Sequence, residues 1–147
     1  MPEHDEYEAY MRKCIILAKI AKERGDSAVG SILVRDGKII AEGMEGGKTY
    51  QDITCHAEIE AIRNAIKNLQ ITDFSDCTMV TTHEPCIMCS YVIRHHKIKR
   101  IVVGVTTGEI GGYSSSLPVL LDQTIARWGI PPQIIDKVLE EECKALK

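Results

Sequence analysis

Apolar residues recur at helical spacing over residues 4–24, where Tyr7, Tyr10, Met11, Cys14, Leu17, Ala18 and Ala21 share one face. Arg24-Gly25-Asp26 ends that run. The period then changes. AVGSILV (28–34) and KIIAEG (38–43) flank Arg35-Asp36-Gly37, and an Asp-Gly turn between two apolar runs predicts a β-hairpin. A polar, glycine-bearing loop over 45–54 leads to a second helix over about 56–69, with apolar positions Ala57, Ile59, Ala61, Ile62, Ala65, Ile66 and Leu69. CTMVTT (77–82) reads as a short strand, and Pro85 suits the first turn of a helix reaching His95. IKRIVVGV (98–105) is apolar almost throughout its second half, as a strand buried on both faces should be. A loop over 106–116 precedes an expected helix over 117–129, stopped by Gly129 and followed by Pro131-Pro132. A strand over 133–138 and a short helix over 139–147 complete the order α-β-β-α-β-α-β-α-β-α. Strands alternating with helices predict a three-layer α/β domain.

Composition and charge narrow the possibilities. The 147 residues fit one domain over 1–147, and 44% hydrophobic with 27% charged residues is ordinary for a globular protein. No apolar run is long enough to span a bilayer, so no membrane partner is expected. MPEHDEYEAYMRK is acidic and polar, unlike a signal peptide, which makes the cytoplasm the expected location. The net charge is −3, without the basic field that usually accompanies a grip on many phosphates. The one basic stretch, Arg94 to Arg100, reads as the charged end of a helix and the turn after it. The charge balance therefore weighs against a nucleic-acid partner gripped through many phosphates. In a cytosolic chain the six cysteines are expected in metal binding, catalysis or burial rather than disulfides. Cys14, Cys77 and Cys143 are expected as buried thiols.

Two short stretches carry chemistry. Cys86-Ile87-Met88-Cys89 can turn two sulfurs to one metal, and a helix start after Pro85 favours thiolate there. Alone, this spacing also fits a redox pair or half a zinc finger. His56 adds an imidazole, and one nitrogen with two sulfurs leaves the fourth position of a tetrahedral zinc open, as catalytic sites require. Neighbouring residues seldom both reach one ion, so Cys55 is not counted, and His83 lies on a strand end where it can point elsewhere. Glu58, two residues after His56, is placed to approach metal-bound water without ligating the metal. Taken alone, Glu58 equally reads as a carboxylate stabilising a helix N-terminus.

H-x-E followed by P-C-x-x-C is the pattern of the zinc deaminases, and the chain resembles the cytidine deaminase-like superfamily. It looks closest to the branch of guanine deaminase, cytosine deaminase and tRNA adenosine deaminase. The resemblance runs from AVGSILVRDGKIIAEG through CHAEIEAI, TMVTTHEPCIMC and IKRIVVGV to GGYSSSLPVLLD and LEEECKAL. It implies a five-stranded mixed sheet in order 2-1-3-4-5 between helices, and a homodimer. It implies one zinc ion per chain on His56, Cys86 and Cys89, with Glu58 as proton shuttle. It also implies that the Ala57 N–H binds the substrate ring edge and the Glu84 carbonyl accepts from the leaving amino group. Val29, Glu45, Tyr113 and Ser114 would flank the substrate. The implied activity is hydrolytic release of ammonia from a nucleobase, nucleoside or related heterocyclic amine such as an aminotriazine. The expected substrate is thus a small-molecule heterocyclic amine; tRNA adenosine deamination, which the acidic balance makes unlikely, and a non-enzymatic, zinc-stabilised interaction module are the alternatives.

The chain departs from that branch at Glu45, where Asn is usual. An ionised carboxylate only accepts hydrogen bonds, whereas Asn also donates. Glu45 would thus suit a substrate edge rich in N–H groups or a ribose hydroxyl. It would be idle if it points to solvent. Ala28-Val29-Gly30 replaces the usual Pro-Val-Gly, and Cys55 replaces the usual Ala.

Overall fold

Strand periodicity sorts the core into two faces of one sheet. In this computed structural model, which describes residues 2–146, Ile32, Val34, Val80 and Val102 pack on one side. Leu33, Met79, Ile101 and Val103 pack on the other. The strands are β1 (Gly30–Arg35), β2 (Lys38–Met44), β3 (Thr78–His83), β4 (Arg100–Val105) and β5 (Gln133–Ile135). They form a five-stranded mixed sheet in order β2-β1-β3-β4-β5. β1 pairs antiparallel with both β2 and β3, whereas β3-β4 and β4-β5 are parallel. Helices α1 (Pro2–Glu23) and α4 (Glu140–Lys144) cover the first face through Tyr7, Met11, Cys14, Leu17 and Cys143. Helices α2 (Ala57–Leu69) and α3 (Ile87–His95) cover the second through Ala61, Ile62, Ala65 and Ile93. Cys14, Cys77 and Cys143 are fully buried, as expected. Among the described residues, no helix is long and apolar enough to cross a membrane.

Differences from the sequence expectations have local causes. The helix expected over 117–129 is two single 3-10 turns, Val119–Leu121 and Ala126–Trp128. Arg94 takes the carbonyls of Val119, Leu120, Asp122 and Gly129 into its guanidinium hydrogen bonds. The Asp122 carboxylate meanwhile accepts the N–H groups of Thr124 and Ile125. Those backbone groups would otherwise sustain a helical ladder. Strand β4 starts at Arg100 because Lys97 turns the chain at φ 60°. β5 stops at Ile135, shortly before the positive φ of Lys137 and Leu139. Pro85 lies just ahead of α3 rather than in its first turn, with Cys86 as N-cap. Ile66 and Leu69 face outward. Residue 147, the end of the last expected helix, lies outside the described residues.

The parallel connections bring the N-termini of α2 and α3 to the carboxyl edge of the sheet. Gly43 fixes how closely α2 sits on β2, since a Cβ there would come within 2.3 Å of the Ala57 carbonyl oxygen. A larger residue would push the start of α2, and the side chains it carries, off the sheet.

Candidate active site

At that edge three ligand atoms converge. His56 Nδ1 lies 3.5 Å from Cys86 Sγ and 3.4 Å from Cys89 Sγ. His56 is the N-cap residue of α2, Cys86 that of α3, and Cys89 lies in the first turn of α3. Neither N-cap side chain is spent on capping. The donor set fits zinc: bond lengths of about 2.3 Å to sulfur and 2.0–2.1 Å to nitrogen put tetrahedral N···S edges near 3.5 Å. Among the described residues, this is the one His/Cys/Asp/Glu group close enough to hold a metal ion.

Without an ion, protons hold these groups together. A hydrogen bond from Cys89 and the nearby His56 ring pull the Cys86 thiol down to about 4, against the effect of burial. The Cys89 thiol is raised well above its ordinary value, chiefly by sharing its hydrogen with Cys86. His56 is pushed up to about 9 by its hydrogen bond to the Cys86 sulfur. Glu58 follows in the first turn of α2. Its side chain is buried, and burial pushes its carboxyl up to about 7. Thr81 donates to Glu58 Oε2 at 3.2 Å, and Cys89 Sγ lies 3.8 Å from Oε1.

These groups open on a cavity of about 210 Å³. Glu45, His56, Glu58, His83, Glu84 and Cys86 line it, with Val29 and Thr107. A cavity of about 480 Å³ lies between α1, β2 and α2, but none of the zinc-ligand residues lines it. Chemistry, rather than size, places the site in the smaller one. Glu45 is half-buried and faces this cavity, not bulk solvent; its Oε2 accepts the Gly47 N–H at 3.1 Å. Burial raises its carboxyl, with the His56 charge opposing. Ala57 is fully buried as the first residue of α2, so its N–H has no carbonyl four residues back within the helix.

Tyr113 and Ser114 are not part of the cavity wall. Their N–H groups donate to Glu84 Oε2 at 2.8 and 2.7 Å, and the Ser114 hydroxyl donates to Oε1 at 2.5 Å. The Thr107 N–H completes the set at 3.0 Å. The Tyr113 ring packs against the core on the α2–α3 side of the sheet. The Glu84 side chain is therefore an anchor for the loop after β4, while the sequence reading had used only its carbonyl. No spacing pattern marks a carboxylate whose partners lie 23–30 positions ahead. Asp26 was missed for the same reason. It is buried, and burial would raise its carboxyl. Hydrogen bonds from Thr49, Arg24 and the Lys48 N–H outweigh that and hold it at about 2. Cys55 is buried outside the ligand cluster, with Arg63 Nη1 3.5 Å from its sulfur.

The model of the cytidine and deoxycytidylate deaminase zinc-binding region matches residues 4–105. The chain belongs to that family. It is a zinc-dependent deaminase, and His56, Cys86 and Cys89 form its candidate metal site. It is similar to a tRNA-specific adenosine deaminase of Haemophilus influenzae, at 36% identity over 92% of this chain and 78% of the relative. A tRNA-specific adenosine deaminase of Aquifex aeolicus is 31% identical over 95% of both chains. A solved structure from work on A-to-I editing by tRNA:A34 deaminases superposes with a TM-score of 0.87. It is 27% identical and covers 95% of this chain and 99% of its own. These relatives overturn the expectation of a small heterocyclic amine as substrate with tRNA set aside. Net charge misled because it sums the whole surface, whereas RNA loops are also recognised through unstacked bases.

Proposed function

We propose that this protein is a tRNA adenosine deaminase, converting an adenosine of a tRNA loop to inosine with release of ammonia. The observation that carries the reading is similarity along nearly the whole chain to tRNA-specific adenosine deaminases, at 31% and 36% identity. The cavity is compatible with it, since an adenine must leave its stack to reach a recessed site.

His56, Cys86 and Cys89 would hold the zinc. When bound, zinc supplies a Lewis acid that acidifies water at this site. Glu58 moves the protons. A carboxyl near pKa 7 can both take and return a proton at neutral pH. It passes one to the ring nitrogen beside the reacting carbon and one to the departing amino group. Thr81 keeps the carboxylate pointed at this task. The Ala57 N–H binds the ring edge, and the Glu84 carbonyl accepts from the amino group as it leaves. Val29 forms part of the wall against the base. Glu45 can only accept when ionised, so it faces a donor, which adenosine offers in its amino group and ribose hydroxyls. Tyr113 and Ser114 act through Glu84, by keeping its backbone in place.

The test is inosine formation in unmodified tRNA, read by nuclease digestion and mass spectrometry. Wild type should form inosine. Glu58→Ala should retain zinc and lose at least roughly a thousandfold in rate. Zinc loss in that variant would make Glu58 a ligand or a structural group. Absence of inosine from every tRNA offered to the zinc-loaded wild type would overturn the reading.

A further inference from the structure

The backbone at Glu45 is held on both sides. Its N–H donates to the Val29 carbonyl at 3.0 Å, and Arg24 Nη2 donates to its carbonyl oxygen at 2.8 Å. The next N–H, of Gly46, donates to the Cys55 carbonyl at 2.9 Å, which ties the loop to the residue before His56. Arg24 is itself fixed: its Nε donates to Asp26 Oδ2 at 2.8 Å, and its guanidinium lies 5.6 Å from the centre of the Tyr50 ring. The buried Asp26 carboxylate also accepts the Lys48 and Thr49 N–H groups at 2.9 and 3.0 Å. This clamp sets where the Glu45 side chain leaves the backbone, and that side chain lines the zinc cavity. Oε2 accepts the Gly47 N–H at 3.1 Å. Among the described residues, no group donates a hydrogen bond to Oε1.

We propose that Glu45 accepts a hydrogen bond from the 2′-hydroxyl of the reacting adenosine, and that Arg24 and Asp26 are positioning residues for this reading of ribose. This rests on the RNA reading above. Within an RNA chain the 3′ and 5′ oxygens of a nucleoside are esterified, so adenosine offers two kinds of donor, its amino group and its 2′-hydroxyl. The amino group lies at the reacting carbon and departs, and the Glu84 carbonyl receives it. The ring nitrogens are acceptors, which an ionised carboxylate repels. The 2′-hydroxyl remains. An Asn at this position can also donate and so can face a ring nitrogen, an option that ionised Glu45 lacks. A carboxylate so placed separates RNA from DNA at the reacting nucleotide, because the 2′-hydroxyl is what the two sugars do not share.

The experiment compares an RNA hairpin carrying the reacting adenosine in its loop with the same hairpin carrying 2′-deoxyadenosine or 2′-fluoroadenosine at that position alone. Fluorine keeps the ribose pucker but cannot donate. Inosine formation gives kcat/KM, and zinc content is measured for every variant. Wild type should lose roughly tenfold or more on both modified hairpins, the scale of a hydrogen bond to a charged group. Glu45→Ala should lose as much on the ribose hairpin and no further on the modified ones. Glu45→Gln, which keeps an acceptor oxygen, should recover part of the ribose preference. Arg24→Ala should shrink that preference with zinc retained, and Arg24→Lys should restore part of it. The wild-type comparison needs no variant, so it decides even where a variant fails to fold. A wild type that treats 2′-fluoroadenosine like adenosine would sink the proposal, as would an undiminished ribose preference in Glu45→Ala or Arg24→Ala. Either result leaves the deaminase reading standing. A wild type silent on every hairpin and tRNA would overturn both.

Discussion

His56 keeps its proton up to about pH 9 because the Cys86 sulfur beside it is already a thiolate above about pH 4. Cys89 holds a second proton, raised by the same neighbour. Zinc must displace both, since its ligands are neutral imidazole and thiolate. Between about pH 5 and 8, zinc affinity should therefore rise by about two decades per pH unit, with two protons released per ion. Competition against a chelator, corrected for the chelator's own protonation, reads this slope. One decade or less would mean that His56 is already neutral in the apo protein. At this scale the sequence was legible wherever spacing encodes chemistry: His56, Glu58, Cys86 and Cys89 are recognisable because two and three residues separate partners on a helix start. Glu45 was legible as a departure, and the structure turns it towards the cavity. The Glu84 side chain left no such trace, because a lone glutamate before proline is common and its partners are distant in sequence.

Elements assemble around single buried groups. Glu84 gathers the N–H groups of Thr107, Tyr113 and Ser114, and Gly111 must be glycine-sized because a Cβ there would meet the Glu84 carboxylate at 2.4 Å. The loop after β4 is thus pinned to the end of β3, the segment that leads into the Cys86 ligand. Glu84→Ala would leave these donors without acceptors and should destabilise the protein by roughly 3 kcal/mol. Hydrogen exchange locates the effect: the Thr107, Tyr113 and Ser114 amides should lose protection before the β3 and β4 amides do. Unchanged protection at those three would remove Glu84 as the anchor. Arg94 plays a similar part for residues 119–129, and here legibility failed for a physical reason. The apolar spacing of Leu117, Val119, Leu120 and Leu121 is compatible with a helix, but its carbonyls are claimed by a guanidinium 25 or more positions earlier. Periodicity records which residues seek the core, not which backbone groups a distant side chain will take. The strands and the long helices were legible because their hydrogen bonds are made within the elements themselves or along the sheet.

At the scale of the whole molecule, part of the positive charge is spent locally. Arg12, Lys13, Arg63 and Lys144 lie 3.2–3.9 Å from carboxylates. In the basic stretch at the end of α3, Arg94 turns inward to backbone carbonyls, Lys97 donates to the Arg127 carbonyl, and Arg100 bonds Gln133. The cavity itself is lined by three glutamates, Glu45, Glu58 and Glu84. A net charge of −3 was thus a poor guide to the substrate. On the proposed tRNA reading, the lack of net positive charge predicts a hold that comes mainly from unstacked bases, with about two or three phosphates neutralised. Each phosphate contact on a single strand contributes about −0.7 to the slope of log K against log salt. Raising salt from about 50 to 200 mM should therefore weaken tRNA binding by only about tenfold, against a thousandfold or more for proteins that neutralise six or more phosphates. Fluorescence anisotropy with a labelled anticodon stem-loop across that range reads the slope directly. A slope steeper than about −4 would require six or more phosphate contacts on a single strand. Recognition by splayed bases would then no longer be needed to account for affinity.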